Sequence, residues 1–131
     1  ESRPDVFNHN VETVPRLYSF IRPGAKYRRS LGVLQYAANQ GFLVKSGLML
    51  GLGETDAELL ETLKDIRRTG CVSVTMGQYL APSQNHAPVR RFVSPEAFEA
   101  WAKKARSLKF QGVAAGPLVR SSYRAEEMFS G

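Results

Sequence analysis

Short apolar runs alternate along this chain with stretches whose apolar residues recur every three or four positions. That rhythm predicts parallel βα units, in which a buried strand feeds a helix that packs back on the sheet. Leu43 to Leu50 reads as a strand. Thr55 then caps a helix, and Glu58 three residues on completes a capping box. Leu59, Leu63 and Ile66 share one face of that helix, and Gly70 stops it. A second strand is expected over residues 72–79 and a second helix over 95–108. Ser94 caps this helix, Pro95 enters its first turn, and Phe98, Trp101, Ala105 and Leu108 form its face. Gly112 to Ala115 makes a short last strand. Upstream, Asp5 to Asn8 reads as the end of another strand. Asn10 is expected to cap a short helix carrying Val14, Leu17, Tyr18 and Ile21. A separate helix presents Tyr27, Leu31, Leu34 and Ala38 and is closed by Gly41.

Units of this kind build either a doubly wound sheet or part of a (βα) barrel, and both bind ligands beyond the carboxyl ends of the strands. The residues expected there are polar or glycine: Asn8-His9-Asn10, Gly51-Leu52-Gly53-Glu54, Gln78-Tyr79, and Gly116 through Tyr123. Three or four parallel strands do not close a barrel, and their free edges invite association. The chain therefore reads as the back half of something larger.

With 131 residues, 43% of them hydrophobic, the chain is long enough for one compact domain. No apolar stretch approaches the roughly 18 residues of a membrane span. Glu-Ser-Arg-Pro-Asp at the start has no apolar signal region behind it, so nothing argues for secretion. The single cysteine, Cys71, fits a reducing cytoplasm, or an organelle matrix in a eukaryote. One cysteine and two histidines, His9 and His86, do not build a metal cage. The net charge of +6 is uneven. Arg16, Arg22, Lys26, Arg28 and Arg29 crowd one segment, and Arg90, Arg91, Arg120 and Arg124 punctuate the later loops. A basic surface suits an acidic partner or anionic ligand. No nucleic-acid motif accompanies it, and most such runs are solvated helix faces.

The individual motifs carry little alone. Gly51-Leu52-Gly53-Glu54 could offer backbone N–H groups to a phosphate, but it lacks the third glycine of a dinucleotide fingerprint and the ending of a P-loop. A tight strand-to-helix turn is the equal reading. Cys71, at the start of a strand, reads as a half-buried inert thiol. Arg120-Ser121-Ser122-Tyr123 lacks the glycines and histidine of a hydrolase elbow and reads as a polar tail. The residues thus leave open a phosphate-binding (βα) module of a non-radical lyase or isomerase, and a basic binding module. The former needs an acid–base pair at the strand ends, where Glu54 is the only plausible acidic side chain.

Longer blocks are more specific. Asn8 through Tyr18, Arg22-Pro23-Gly24-Ala25, Tyr27 through Leu31, Lys45 through Thr55, Gly77 through Leu80 and Gly116 through Ala125 run in order through nearly the whole chain. Together they resemble the lipoyl synthase family of radical S-adenosylmethionine (SAM) enzymes. The resemblance implies an α/β fold, the C-terminal half of a partial (βα)6 TIM-like barrel. Residues 1–116 would supply βα units, and residues 117–131 a C-terminal segment carrying a serine motif. It also implies two 4Fe-4S clusters, one cleaving SAM and one auxiliary cluster donating sulfur. The 5′-deoxyadenosyl radical so formed would take hydrogen from C6 and C8 of a protein-bound octanoyl-lysine, where two sulfur atoms are inserted.

Carried across by position, Ser122 is implied as the auxiliary-cluster ligand, with Ser121 the alternative, and Arg120 and Arg124 beside it. An alkoxide matches iron poorly beside thiolates and would leave readily. Met49 and Glu54 fall in the pattern of the fifth barrel strand, Asn8 and Asn10 at the ribose-contacting position, and Gln78, Tyr79 and Leu80 at the adenine. Lys45 is a candidate for the SAM carboxylate or a carrier protein. Implied partners are an octanoylated lipoyl-domain or glycine-cleavage carrier protein, the N-terminal half of the enzyme, and electron-donor and iron–sulfur carrier proteins. Neither nucleic acid nor membrane is implied. The cluster-binding cysteines of the family are absent from these residues, so the chain alone is expected to be inactive.

Overall fold

Of the three long helices, two begin behind a side chain that accepts from their first free N–H groups, and the third begins without one. In the computed structural model, which describes residues 5–21 and 26–119, they alternate with four strands. The order is β1 (Val6–Asn8), a 3-10 turn (Pro15–Leu17), α1 (Tyr18–Ile21), α2 (Tyr27–Asn39), β2 (Leu43–Leu50), α3 (Asp56–Arg68), β3 (Ser73–Gln78), α4 (Pro95–Ser107) and β4 (Gly112–Gly116). The Thr55 hydroxyl accepts from the Glu58 N–H, and the Glu58 carboxylate accepts from the Thr55 N–H, so α3 carries the expected capping box. The Ser94 hydroxyl accepts from the Ala97 N–H to start α4 behind Pro95.

Asn10 does not cap a helix. The first helical turn starts at Pro15, with extended Val14 before it and no side-chain cap. A proline favours the first helical position and forces its predecessor out of helical backbone, which overrides a capping side chain five residues upstream. The stretch between is spent on the sheet instead. Glu12 takes a left-handed φ of 81°, donates its N–H to the Gly47 carbonyl and accepts from the Met49 N–H.

All strands are parallel and lie in chain order, β1-β2-β3-β4. Register sets Ser46 beside Val74 and Val113, and Leu48 beside Met76 and Ala115. These rows share one apolar core with Leu34, Leu59, Leu63, Ile66, Phe98 and Ala105 of α2, α3 and α4. The three long helices thus cover a single face. A doubly wound sheet reverses its strand order and has helices on both faces; this one does neither, and it has the winding of a barrel segment. The opposite face presents Asn8, Lys45, Gly47, Met49, Ser73, Thr75, Gly77, Gly112, Ala114 and Gly116 by the alternation of each strand. Among the described residues no helix is long and apolar enough to cross a membrane.

Replacing Thr55 by alanine removes one cap and should cost about 1 kcal/mol. Leu63→Ala empties a fully buried position facing the sheet and should cost roughly 2–5 kcal/mol. Urea unfolding of a soluble chain containing these units measures both, and equal losses would contradict the packing described.

Candidate functional site

The carboxyl ends of the strands meet in one region, and the turn after β2 is its centre. The Glu54 carboxylate folds back to accept the N–H of Gly51 at 2.9 Å and that of Leu52 at 3.0 Å. Gly51 holds a φ of +98°, and a Cβ there would overlap the Arg91 carbonyl oxygen and the Gln78 amide. The Gly51 carbonyl accepts from the N–H groups of Arg90 and Arg91, docking the loop after β3 onto this turn. Gln78 locks the same loop. Its amide donates to the Arg91 and Tyr79 carbonyls and accepts from the Val93 N–H.

Arg16 joins the segment after β1 to the segment after β2. Its guanidinium meets both oxygens of Glu58, at 2.7 and 2.9 Å, and also donates to the Gly53 carbonyl at 2.8 Å. The arginine and the backbone N–H of Thr55 hold the Glu58 carboxyl down to about 2. Val14, Leu17, Leu52 and Tyr79 pack as a small second cluster beneath, with Met49, Ala87 and Val89 against it. The Tyr79 hydroxyl donates to the Ala87 carbonyl at 2.7 Å. Above lies an open cleft of about 610 Å³ whose walls include Arg16, Leu52, Gly53, His86 and Arg90.

Beside this rim, the end of β1 carries polar atoms without partners. The side-chain oxygens of Asn8 and Asn10 are buried and accept no hydrogen bond, and the Thr13 and Thr75 hydroxyls are in the same state. Leaving a buried acceptor unmade costs about 1–3 kcal/mol. Asn8 is the register partner of Lys45 on the helix-free face, and Thr75 lies on that face opposite Gly47. His9 points the other way, its Nε2 lying 3.3 Å from the Ser30 hydroxyl of α2.

Lys45 is fully buried on the helix-free face, and burial lowers its pKa. It stands four residues before Met49, about 13 Å along the strand. Leu80 is half exposed just past β3. Met49, Glu54, Gln78 and Tyr79 are thus brought together, Asn8 and Asn10 stand beside them, and Lys45 sits deeper. Ser122 and Arg120, with Ser121, Tyr123 and Arg124, lie outside the described residues, as do Arg22 to Ala25.

An iron–sulfur cluster does not fit the donors present. Among the described residues no group of three or more His, Cys, Asp or Glu side chains could hold a metal. Cys71 is not half-buried but wholly enclosed, its thiol donating to the Val44 and Ser73 carbonyls, and burial pushes it up to about 11. A ligand bearing hydroxyl donors does fit, because Asn8 and Asn10 offer acceptors that nothing else uses.

Residues 1–66 match the model of the radical SAM superfamily. The chain is 58% identical over 125 residues to a lipoyl synthase of Syntrophotalea carbinolica, covering 94% of the chain and 40% of that relative. It is 55% identical over 128 residues to a lipoyl synthase of Acidothermus cellulolyticus, covering 98% of the chain and 40% of that relative. A lipoyl synthase of Mycobacterium tuberculosis is 56% identical over 129 residues, covering 98% of the chain and 42% of that relative. The chain thus spans about two fifths of the length of the curated relatives it matches.

The depressed Glu58 carboxyl makes a pH-dependent contribution to the rim. A carboxyl whose folded value lies near 2 against an ordinary 4.5 stabilises above the ordinary value and loses that contribution as pH falls towards 2. The effect is small because the pair faces solvent. Glu58→Gln should flatten this part of the stability profile, as thermal unfolding in acid measures; an unchanged acid slope would contradict the pairing.

Proposed function

This chain belongs to the radical SAM superfamily, and from that premise we propose that it is part of a lipoyl synthase. The whole enzyme would insert two sulfur atoms at C6 and C8 of a protein-bound octanoyl-lysine. The observation that carries the site reading is the pair of buried, unpartnered amide oxygens at Asn8 and Asn10, beside a turn whose own N–H groups are already bonded. The first offers acceptors to ribose hydroxyls. The second argues against the phosphate-binding alternative, because the Gly51 and Leu52 N–H groups are occupied by Glu54 and the start of α3 is capped by Thr55.

When bound, SAM would supply the chemistry that removes hydrogen from the octanoyl chain. The part of these residues is to hold and orient it. Asn8 and Asn10 accept from the ribose. Met49 packs beside the adenine from the helix-free face. Gln78 spends its side chain on the Arg91–Val93 loop and on the Tyr79 carbonyl. The Tyr79 N–H is held by the Leu50 carbonyl, so of the Gln78, Tyr79 and Leu80 stretch the backbone of Gln78 and Leu80 is proposed to meet the adenine edge. Lys45 meets the SAM carboxylate, or an anion of the carrier. Glu54 acts through the turn rather than by touching the ligand.

The chain has a single cysteine, enclosed in the fold, so both sets of cysteine ligands are proposed to lie elsewhere in the enzyme. Ser122 is proposed as the one hydroxyl ligand of the auxiliary cluster, with Arg120 and Arg124 balancing charge nearby. Residues 117–131 form the segment that carries it. The open edge of β1, beside an apolar groove lined by Phe7, Val33, Tyr36 and Phe42, suits the preceding βα unit of the N-terminal half. Partners are an octanoylated lipoyl-domain or glycine-cleavage carrier protein, an electron donor and an iron–sulfur carrier protein. The proposed compartment is the cytoplasm, or an organelle matrix in a eukaryote.

The tests use a full-length chain carrying these residues and an octanoyl-lysine peptide. Asn10→Ala should weaken SAM binding by about tenfold, the loss of one to two hydrogen bonds. Ser122→Ala should leave SAM binding largely intact and abolish or strongly reduce lipoyl product, with Ser121→Ala much milder. Parent-like product from Ser122→Ala but not from Ser121→Ala would move the ligand one residue earlier. Parent-like product from both would remove the ligand role.

A further inference from the structure

β4 does not simply end at Gly116. The Val119 N–H donates back to the Gly116 carbonyl at 3.2 Å, closing a turn over Pro117 and Leu118. This turn carries the chain sideways onto the neighbouring strand, because a Cβ built on Gly77 would overlap the Val119 carbonyl oxygen and come within 3.2 Å of its carbonyl carbon. Gly77 is the register partner of Gly116 on one side and of Met49 on the other. Its neighbours Met76 and Gln78 turn their side chains to the helices and the docked loop, so its bare side belongs to the helix-free face.

Gly77 is absent from the glycines with left-handed backbone. It is therefore needed for space and not for conformation. The obstruction is backbone against backbone, which no side-chain rotation relieves. Contrast Gly112, where an added Cβ would meet the Ser73 hydroxyl, a group free to turn.

The geometry points to Gly77 as the seat that holds the Val119 backbone against the helix-free face, at the level of Met49. It is a positioning residue: it touches no reacting atom, and acts by fixing where the backbone after Val119 departs. Ser122 lies three residues beyond Val119, so at most about 11 Å of chain separates them, and where Val119 is held bears on what Ser122 can reach. This inference rests on the reading of Ser122 as a cluster ligand.

The experiment compares Gly77→Ala, Pro117→Gly and Gly112→Ala in the full-length enzyme, by amide hydrogen exchange and by product formed on an octanoyl-lysine peptide. Gly77→Ala should speed exchange at the Val119 amide by about tenfold or more, with the Leu50 and Val74 amides unchanged, and should lower product in step. Pro117→Gly loosens the same turn without touching β3 and should reproduce both effects. Gly112→Ala should leave Val119 exchange at the parent rate. The seat is overturned if Val119 in Gly77→Ala exchanges at the parent rate, or if every strand amide accelerates equally. Parent-like product in both Gly77→Ala and Pro117→Gly would overturn the steering role. If Val119 responds as expected while Ser122→Ala still makes product, the seat stands and the Ser122 reading falls.

Discussion

The Glu54 carboxylate, bonded to the N–H groups of Gly51 and Leu52, fixes the end of β2, and the rest of the rim is built on that end. With those two donors held, the Gly51 carbonyl points outward to accept from Arg90 and Arg91. The loop they belong to then lies close enough for Gln78 to bracket it from the other side. Leu52 is set beside Leu17 and Tyr79 in the second apolar cluster, and Gly53 offers its carbonyl to Arg16. A carboxylate that would be read from sequence as a ligand or a base is here the fastener of a turn.

Winding decides which face can act. Because all three long helices cover the side that carries Leu48 and Met76, the apolar demand of the sheet is met on one face. The other can then carry Asn8, Lys45, Thr75 and a run of glycine and alanine. Small side chains there bring backbone close to whatever lies on it, and the turn at Val119 uses that closeness at Gly77. The left-handed Glu12 contributes as well. Residues of that kind cost about 1–3 kcal/mol unless their surroundings hold them; here bonds to Gly47 and Met49 hold the Asn10–Thr13 stretch against β2.

Much of this was legible in the residues, and where it was not the reason is physical. β2 could be read to the residue and α3 to within one, since a buried strand, a capping box and a stop glycine all act locally. Strand β3 came out shorter than expected, Ser73–Gln78, because its ends are spent on loops. Asn10 was misread as a cap because the capping signal is common, whereas the restriction imposed by Pro15 is stronger. Barrel segment and doubly wound sheet could not be separated, since the side on which a helix returns is a tertiary matter. The clamp between Arg16 and Glu58 left no local signal at all. The glycine inside β3 did leave one, as a mark of close backbone approach, but not which backbone approaches.

The charge excess takes on a narrower meaning once the cations are placed. Arg16 is held by Glu58, Arg68 by Asp65, and Arg67 donates to the Cys71 and Lys109 carbonyls at the far end of the sheet. Those groups serve the fold and offer little to an anion. Arg90 and Arg91 are exposed on the rim, where water screens them and a charged partner would gain mainly in encounter rate. Lys45 differs from all of them. It is enclosed on the helix-free face, and burial lowers its pKa. Among the described basic residues Lys45 alone is buried, so an anionic group reaching that face would meet it inside the fold, where water does not screen the pair as it does at Arg90 and Arg91.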